Sequence, residues 1–289
     1  MKYILLVISI LFLLTSCSKK EQEELKISVN PWIGYTPIFY AYEKGYLKDL
    51  NIKIIPTVSL GESTDMFSLN KSNMLSGTQH EYKSLKQEFN SLIPIILIDR
   101  SYGGDMILSN RTIDELKNSK DIKVYLEIDS INNEMIRSFI KDNKLKHKHI
   151  TFINKDQAQL QGFNFNKKEN IVIVTYTPYD IKLKKDGFNE VASTKDIKEL
   201  LVVDAIYAKK ELVEKNKKRL EKFKNILDQS IKEIEDDPKK AHEITAKYLD
   251  NISIDDFKDS LDVIKWINNP SKELIIELEK IGYLKKNLI

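Results

Sequence analysis

Residues 25–47 read LKISVNPWIGYTPIFYAYEKGYL, which is the pattern of a strand, a tight turn and a helix in direct succession. The apolar and β-branched residues at its start predict a strand over 25–30. Gly34 permits a tight turn after that strand. Thr36 and Pro37 then predict a helix start, because a hydroxyl side chain can cap a helix and proline fits its first turn. A strand followed at once by a helix is the repeating unit of α/β folds.

The same alternation continues along most of the chain and indicates an α/β fold. Short apolar runs predict strands over 51–58, 92–99, 121–127, 149–154, 170–176 and 201–208. Thr112 and Glu115 have capping-box spacing and predict another helix start. After about residue 208 we expect only helices, first an amphipathic one over 209–235 that ends at Asp237-Pro238. This order predicts two lobes with a hinge between them and a helical C-terminal tail.

Composition and charge exclude several classes of protein. The 289 residues, 42% of them hydrophobic, suffice for one large domain or two lobes. Lys and Arg number 46 against 43 Asp and Glu, so the net charge of +3 gives no reason to expect a nucleic-acid partner. The Lys-rich run 215–222 is either a solvated helix face or a patch for an anionic surface. Four His, one Cys and the lack of C-x-x-C and H-E-x-x-H motifs argue against zinc and disulfides, and we expect no cofactor.

The N-terminus has the features of a bacterial export signal. Lys2 precedes an apolar run over 4–14 that is too short to cross a bilayer as a helix. The sequence LTSC that ends at Cys17 resembles a lipobox, which predicts that residues 1–16 are a signal peptide and that Cys17 carries acyl groups such as palmitate. A plain signal peptide with an incidental cysteine is the alternative. Residues 17–24 predict a lipidated tether, so we expect anchoring at the extracytoplasmic, periplasmic face of a membrane.

Five segments near predicted strand ends contain polar and aromatic residues, and ligands of α/β folds bind at such ends. The segments are 30–37, 76–81, 99–105, 127–133 and 175–179, and Asp204 lies in a further strand. The candidate ligand-binding residues are Trp32, Tyr35, Thr36, Thr78, Gln79, Glu81, Arg100, Ser101, Gly104, Asp105, Glu127, Asp129, Ser130, Tyr176, Tyr179 and Asp204.

Each segment also has a purely structural interpretation. Tyr35 could pack in a core, whereas Trp32, in a turn with proline and glycine, is expected at a surface or cleft. The segment 76–81 could be an ordinary capped turn. The glycines at 103–104 suit a hinge as well as a close approach to a ligand. Asp129 or Ser130 could simply cap the following helix.

The residue types at these ends indicate the chemistry of the ligand. Acids beside aromatic rings suit an amine, a quaternary ammonium ion or an amino-substituted ring. Arg100 and the helix N-termini could hold an anionic end, so a zwitterion is equally admissible. No pair of residues has a catalytic arrangement, and no G-x-S-x-G motif nominates a nucleophile. We therefore expect a binding protein and not an enzyme.

Four motifs together resemble the nitrate, sulfonate, taurine and thiamine-precursor group of periplasmic solute-binding proteins. They are NPWIGYTPIFYAYEKGYL (30–47), GGD (103–105), YTPY (176–179) and LLVVDAI (200–206), and the resemblance covers most of 25–250. It implies the type 2 periplasmic-binding fold, with lobe one at 25–104 plus 205–289 and lobe two at 105–204. It also implies ligand contacts at the loop after strand one, at the helix starts near 78 and 129, at the hinge glycines and at 176–179.

The chain departs from the family pattern in three respects. Many members have Trp-Glu-Pro where this chain has Tyr176-Thr177-Pro178, and an Asp where it has Asn73. These differences argue against the usual sulfonate or nitrate ligand. The cysteine-rich signature of the fungal pyrimidine synthases is absent, which argues against that enzyme activity.

The resemblance implies a monomeric substrate-binding lipoprotein of an ABC importer. Its partners would be a small-molecule ligand, an inner-membrane permease with its ATPase, and the membrane itself through the lipid on Cys17. Closure of two lobes over the ligand would need no covalent step. A ligand-sensing lipoprotein that docks on a signalling receptor, or an envelope hydrolase with the same fold, are the alternatives.

Overall fold

The computed structural model describes residues 22–197 and 200–289, so the predicted signal peptide, Cys17 and most of the tether lie outside the described residues. The strands, in chain order, are β1 (Leu25–Val29), β2 (Ile52–Pro56), β3 (Met74–Thr78), β4 (Leu92–Ser101), β5 (Asp105–Ser109), β6 (Asp121–Leu126), β7 (His149–Asn154), β8 (Ile171–Tyr176), β9 (Asn189–Ser193), β10 (Val203–Lys209) and β11 (Ile264–Trp266). The helices are α1 (Thr36–Glu43), α2 (Leu60–Ser68), α3 (Gln79–Glu88), α4 (Ile113–Asn118), α5 (Ile131–Asp142), α6 (Gln157–Gly162), α7 (Asp180–Lys185), α8 (Lys210–Asp236), α9 (Pro238–Thr245), α10 (Ile254–Leu261) and α11 (Lys272–Lys280).

The strands form two separate mixed sheets. The first has the order β11-β4-β10-β3-β1-β2 and the second has the order β7-β6-β8-β5-β9. The chain passes from the first sheet to the second between Ser101 and Asp105 and returns between Ser193 and Val203. We call the part around the first sheet the first lobe and the part around the second sheet the second lobe. The two-lobed α/β architecture confirms the fold class expected from the sequence.

The helix α8 shows why the C-terminal part of the chain joins the first lobe. It buries Leu220, Phe223, Leu227, Ile231 and Ile234, whose spacing of three or four residues places them on one face. Leu220, Phe223, Leu227 and Ile234 pack in the same core as β1 and α1. The lysines of the run 215–222 are exposed on the other face, which both the solvated-face and the anionic-surface interpretations allow. Asp237 caps α9 by accepting from the Lys240 amide at 3.0 Å, and Pro238 follows it.

Four strands were not predicted from the sequence. They are β3, β5, β9 and β11, and β11 corrects the expectation that only helices follow residue 208. The strand β3 reads MLSGT and is buried throughout, although its second half looks like a polar turn. Its polarity is tolerated because the Ser76 hydroxyl donates to the Ser28 carbonyl of the neighbouring strand at 3.2 Å.

The first helix also differs from its prediction. Thr36 is the first residue of α1 and not its cap, because its hydroxyl donates to the Ile33 carbonyl at 2.5 Å. The helix ends at Glu43 and does not continue to Leu47, since Gly45 adopts a φ of +75° that a helix cannot contain. Among the described residues, the longest apolar helical stretches fall short of what a membrane span requires.

Candidate functional site between the two lobes

A small cavity, almost filled by its own side chains, lies where the strand ends of the two sheets meet. The first lobe contributes residues that end or follow β1 and β3, the first residue of α2, and Asp204 near the start of β10, which stands opposite Thr78 in the strand register. The second lobe contributes Asp105 and Tyr176, which are paired across β5 and β8. The lining residues are Asn30, Trp32, Tyr35, Leu60, Thr78, Asp105, Tyr176 and Asp204. We call this the central cavity, and its lining contains no Lys or Arg.

Two aromatic side chains of the central cavity are held by buried carboxyl groups. The Trp32 Nε1–H donates to both Asp99 carboxyl oxygens, at 3.2 and 3.1 Å. The Tyr35 hydroxyl donates to Asp204. Gly34 is required here, since a Cβ on it would lie 2.0 Å from Asp99 Oδ2 and 2.4 Å from Trp32 Nε1. These pairs fix both rings, so the aromatic part of the wall is preformed.

The carboxyl groups around the central cavity are buried and close enough to affect one another. Burial raises the pKa of Asp99 well above its usual range, and the charge of Asp105 adds to the effect. Burial, and next the charge of Asp99, likewise raise the pKa of Asp204. Burial raises the pKa of Asp105 to about 7. A buried acid without a cationic partner favours its neutral form, which is the physical cause of all three shifts.

A groove of about 210 Å³ lies next to Glu127 at the edge of the same cleft. It is lined by Ser59, Gly61, Glu127, Ile128, Asp129, Ser130, Asn154, Lys155, Asp156 and Gln159, and we call it the mouth groove. Glu127 is buried and accepts from the Gln157 amide at 3.2 Å. Burial raises its pKa to about 8, with a further contribution from the charge of Glu81. The groove therefore has an acidic lining with Lys155 as its basic member.

Several buried oxygen atoms around the cleft have no hydrogen-bond partner within the protein. They are Asn30 Oδ1, Glu81 Oε1, Asp105 Oδ2 and Glu127 Oε2. All four are acceptors when the acids are ionised. A buried polar atom without a partner is costly, so such a set indicates a ligand that donates hydrogen bonds or carries positive charge.

The two lobes touch directly across the cleft. The Asn30 amide donates to the Tyr176 hydroxyl at 3.2 Å, and the Tyr179 hydroxyl donates to the Val58 carbonyl at 3.0 Å. His80 Nδ1 lies 3.1 Å from the Glu134 carboxylate. The rings of Trp32 and Tyr176 meet edge to face with centroids 5.9 Å apart. These contacts describe a closed arrangement of the lobes.

The structure brings most of the candidate residues to this cleft. Six of them line the central cavity, namely Trp32, Tyr35, Thr78, Asp105, Tyr176 and Asp204. Glu127, Asp129 and Ser130 line the mouth groove, where Ser130 is also the cap of α5. Glu81 closes a capping box with Thr78 and keeps its second oxygen unpaired. The Tyr179 ring lies edge to face against Tyr176, 5.5 Å between centroids.

Besides Glu81 and Tyr179, five further candidates lie outside the linings of the central cavity and the mouth groove. The Thr36 hydroxyl donates its hydrogen bond to the Ile33 carbonyl, as described above. The Gln79 amide instead bonds the backbone of Leu201 and Val203, which ties α3 to β10. Ser101 accepts from the Asp105 amide at 3.0 Å in the connection between the lobes.

The other two of these candidates are Arg100 and Gly104. Arg100 is half-buried on β4, one residue from Asp99, so the alternation of the strand turns it to the opposite face. A Cβ on Gly104 would lie 2.4 Å from the Trp32 ring, so this glycine makes room for the indole.

Three residues that shape the site were not among the candidates. Asn30 and Asp99 end or follow strands, so the strand-end argument could have found both. Leu60 begins α2 and lines the central cavity, and no local signal marks it. Of the described residues, no three His, Cys, Asp or Glu side chains are grouped as a metal site would need.

Comparison with known proteins identifies the family. The chain matches the family described as NMT1/THI5 like over residues 32–241. No curated protein sequence matches it. Similar solved structures include the ligand binding component of an ABC-type import system from Staphylococcus aureus with zinc bound, at 14% identity, TM-score 0.72 and coverage of 93% of this chain and 96% of that one.

Two further structures have named ligand classes. The periplasmic aliphatic sulphonate binding protein of Escherichia coli is 14% identical, with TM-score 0.70 and coverage of 92% of both chains. The periplasmic nitrate-binding protein of Synechocystis is 12% identical, with TM-score 0.67 and coverage of 92% of this chain and 83% of that one. At these identities the likeness concerns the fold. With the family match over most of its length, this chain belongs to the NMT1/THI5-like family and has the two-lobed type 2 periplasmic-binding fold.

Proposed function

We propose that the protein is the substrate-binding component of an ABC importer and captures a small organic solute that is cationic or rich in N–H donors. An amine, an amino-substituted heterocycle or a zwitterion held by its cationic end belongs to this class. The observation that carries the proposal is the set of buried, unpartnered acceptor oxygens in a cleft whose central cavity has no basic lining residue. The names of the structural neighbours support the transport role.

The cleft is poorly suited to a sulfonate or nitrate ion. Such anions are held by N–H donors and cationic side chains. Once ionised, the buried carboxyls of Asp99, Asp105 and Asp204 attract a cation and repel an anion, and in their neutral form they offer an anion no positive charge. The rings of Trp32 and Tyr176 supply faces on which a cation or a flat heterocycle can rest. We therefore propose that this protein binds a different class of ligand from its sulfonate- and nitrate-binding structural neighbours.

Capture is proposed to work by closure of lobe one (25–104 with 205–289) on lobe two (105–204). The Tyr179–Val58, Asn30–Tyr176 and His80–Glu134 contacts would form on closing and hold the ligand away from water. We further propose that Cys17 carries the lipid and that the anchored monomer delivers its ligand to an inner-membrane permease and its ATPase. No covalent step belongs to this proposal.

The test is a thermal-shift screen of the full chain in mild detergent. The panel contains alkylamines, guanidinium compounds, betaines and aminopyrimidines, with alkanesulfonates and nitrate as the opposing class. A ligand at 100 times its Kd stabilises by about 2.7 kcal/mol, which raises Tm by several degrees. We expect that only the cationic and N–H-donating compounds of the panel stabilise the protein. Stabilisation by sulfonate or nitrate alone would refute the ligand class and leave the importer role standing.

The matched variants are Asp105→Asn and Glu88→Gln. Asp105 lines the central cavity with an unpartnered oxygen, whereas Glu88 is exposed at the end of α3. We expect the shift to shrink in the first variant and to stay unchanged in the second. An equal response of both variants would show that the ligand binds elsewhere.

A further inference from the structure

The carboxyl groups of the cleft raise a question of charge balance that the proposed function leaves open. Asp99, Asp105, Asp204 and Glu81 are all at least nine-tenths buried around one small cavity. Ionised acids at such positions need a compensating cation, and the lining of the central cavity supplies none. Several of these acids must therefore carry protons when the cleft holds no cation.

Asp105 is both a buried acid without a compensating cation and a residue placed to contact a ligand in the central cavity. It lines the central cavity, it is 5% exposed, and its Oδ2 has no hydrogen-bond partner. Asp99 and Asp204 differ because they accept hydrogen bonds from Trp32 and Tyr35. Glu127 resembles Asp105, since its Oε2 is also unpartnered, and it faces the mouth groove.

We propose that capture of a cationic ligand in this cleft is coupled to the release of protons, from Asp105 first and from Glu127 second. The ligand's positive charge takes the place of the proton, so the acid ionises as the cation arrives and the proton leaves to the solvent. This inference rests on the proposed function, because it presumes a cationic ligand. It adds that ligand affinity depends on pH even for a ligand that does not itself titrate.

The groups that face the two acids are consistent with this exchange. Asp105 interacts with Glu81, Asp99 and Asp204 of the first lobe, with Tyr176 beside it, and with Ser101. Glu127 interacts with Glu81, Asp156, Tyr176, Tyr179 and the Gln157 amide. None of these groups is a cation, although Lys155 lines the same groove as Glu127. Burial raises the pKa of Asp105 to about 7 and that of Glu127 to about 8, so both groups change charge near neutral pH.

Because these acids hold protons in the ligand-free cleft, the direction in which ligand affinity changes with pH can be stated. Below the pKa of the empty cleft, the ligand must displace a proton, which weakens binding. Above that pKa no proton has to leave. The association constant should rise up to about tenfold per pH unit for each proton displaced, and level off above about pH 7 for the proton of Asp105 and above about pH 8 for that of Glu127.

The first measurement examines the full chain without ligand. Infrared spectroscopy at neutral pH separates the carbonyl stretch of a neutral carboxylic acid from the carboxylate bands. Wild type should show the neutral-acid band, and both Asp105→Asn and Glu127→Gln should reduce it while Glu88→Gln does not. Circular dichroism checks that the variants keep the fold. Absence of any neutral-acid band that these two substitutions reduce would overturn the exchange, whatever binds.

The second measurement is calorimetry with methylguanidinium, which stays charged throughout the range, and with methylurea, its neutral counterpart of similar shape. Titration in buffers of different ionisation enthalpy gives the number of protons released. We expect close to one proton or more with methylguanidinium at pH 6, none with methylurea, and a smaller number in Asp105→Asn.

The outcomes separate the two proposals. Binding of methylguanidinium without proton release would overturn the exchange and leave the cationic ligand class intact. If neither methylguanidinium nor any amine of the thermal screen binds, the ligand class fails and the exchange fails with it. Proton release together with loss of the neutral-acid band on binding supports both.

Discussion

Gly34→Ala tests whether the Trp32–Asp99 pair determines the shape of the cleft. The added Cβ would lie 2.0 Å from Asp99 Oδ2 and 2.4 Å from Trp32 Nε1, which is inside the contact distance of both atoms. Neither side chain can move freely, because Asp99 is fully buried and Trp32 is 4% exposed. The hydrogen bond between them must therefore stretch or break.

The magnitude follows from two costs. Breaking a hydrogen bond between buried groups costs about 1–3 kcal/mol, and forcing extra volume into a packed core costs about 1–3 kcal/mol more. We expect a loss of about 2–6 kcal/mol in the free energy of unfolding, which lowers Tm on the order of 10 °C in a chain of this size. Urea unfolding followed by tryptophan fluorescence and a thermal scan measure both quantities.

Gly162→Ala is the matched control. Gly162 ends α6, and a Cβ there would meet no atom within 4 Å. We expect its effect to stay within about 0.5 kcal/mol. A double-mutant cycle with Trp32→Phe should show that Gly34→Ala costs less when the indole N–H is gone, by about 1 kcal/mol or more. Equal effects of Gly34→Ala and Gly162→Ala would refute the reasoning.

Three further variants probe closure and the first lobe. Tyr179→Phe removes the hydrogen bond to the Val58 carbonyl, worth about 1 kcal/mol, so calorimetry should show ligand binding weakened about fivefold. The hydrogen bond to Glu134 raises the pKa of His80, so this contact stabilises closure below about pH 6.5 and is lost as pH rises through the raised pKa. In His80→Gln the pH dependence of closure seen by small-angle scattering should disappear. Arg219→Met removes the guanidinium bonds to three backbone carbonyls, and urea unfolding should show a loss of about 2–4 kcal/mol.

Two of these variants have a control variant elsewhere in the chain. Tyr248→Phe removes a hydroxyl bonded to Glu43 within the first lobe, so ligand affinity should not change. Lys218→Met alters an exposed neighbour of Arg219 and should leave stability within about 0.5 kcal/mol. A pH dependence of closure that survives in His80→Gln would place its origin in other groups.

Local sequence patterns predicted those helices and strands in which buried residues recur at regular spacing. The spacing of Leu220, Phe223 and Leu227 marks the buried face of α8 without knowledge of its partner. The strand β3 could not be predicted in this way, because its Ser76 is satisfied by Ser28, which lies 48 residues away in sequence. Short-range sequence patterns indicate which residues are buried, but only the folded structure shows which buried polar groups have hydrogen-bond partners.

The candidate site was predictable to the same extent. Strand ends converge in an α/β fold, so Trp32, Tyr35 and Asp204 could be expected at one cleft, whereas Thr78 was expected there from a helix start and from the family resemblance. Arg100 was a candidate on the same argument, yet strand alternation turns it away from Asp99. Sequence also offered no means to tell Asp99, which is bonded to Trp32, from Asp105, which keeps an unpartnered oxygen. That distinction depends on contacts between residues far apart in the chain.

The same distinction separates acids that stabilise the fold from acids that cost stability. A folded-state pKa of about 7 for Asp105, against about 3.9 in an unfolded chain, means that the native state holds a proton that the unfolded state gives up. Stability therefore falls as pH rises from about 4 to 7, by up to about 4 kcal/mol from this group.

Asp105→Asn removes this cost, so the variant should gain stability over wild type as pH rises through that range, while it binds a cationic ligand more weakly. Urea unfolding of the empty protein at several pH values measures the gain. A difference that does not change with pH would mean that Asp105 is already ionised in the empty cleft. A gain in stability paired with a loss of binding is the behaviour expected of a residue kept for its ligand and not for the fold.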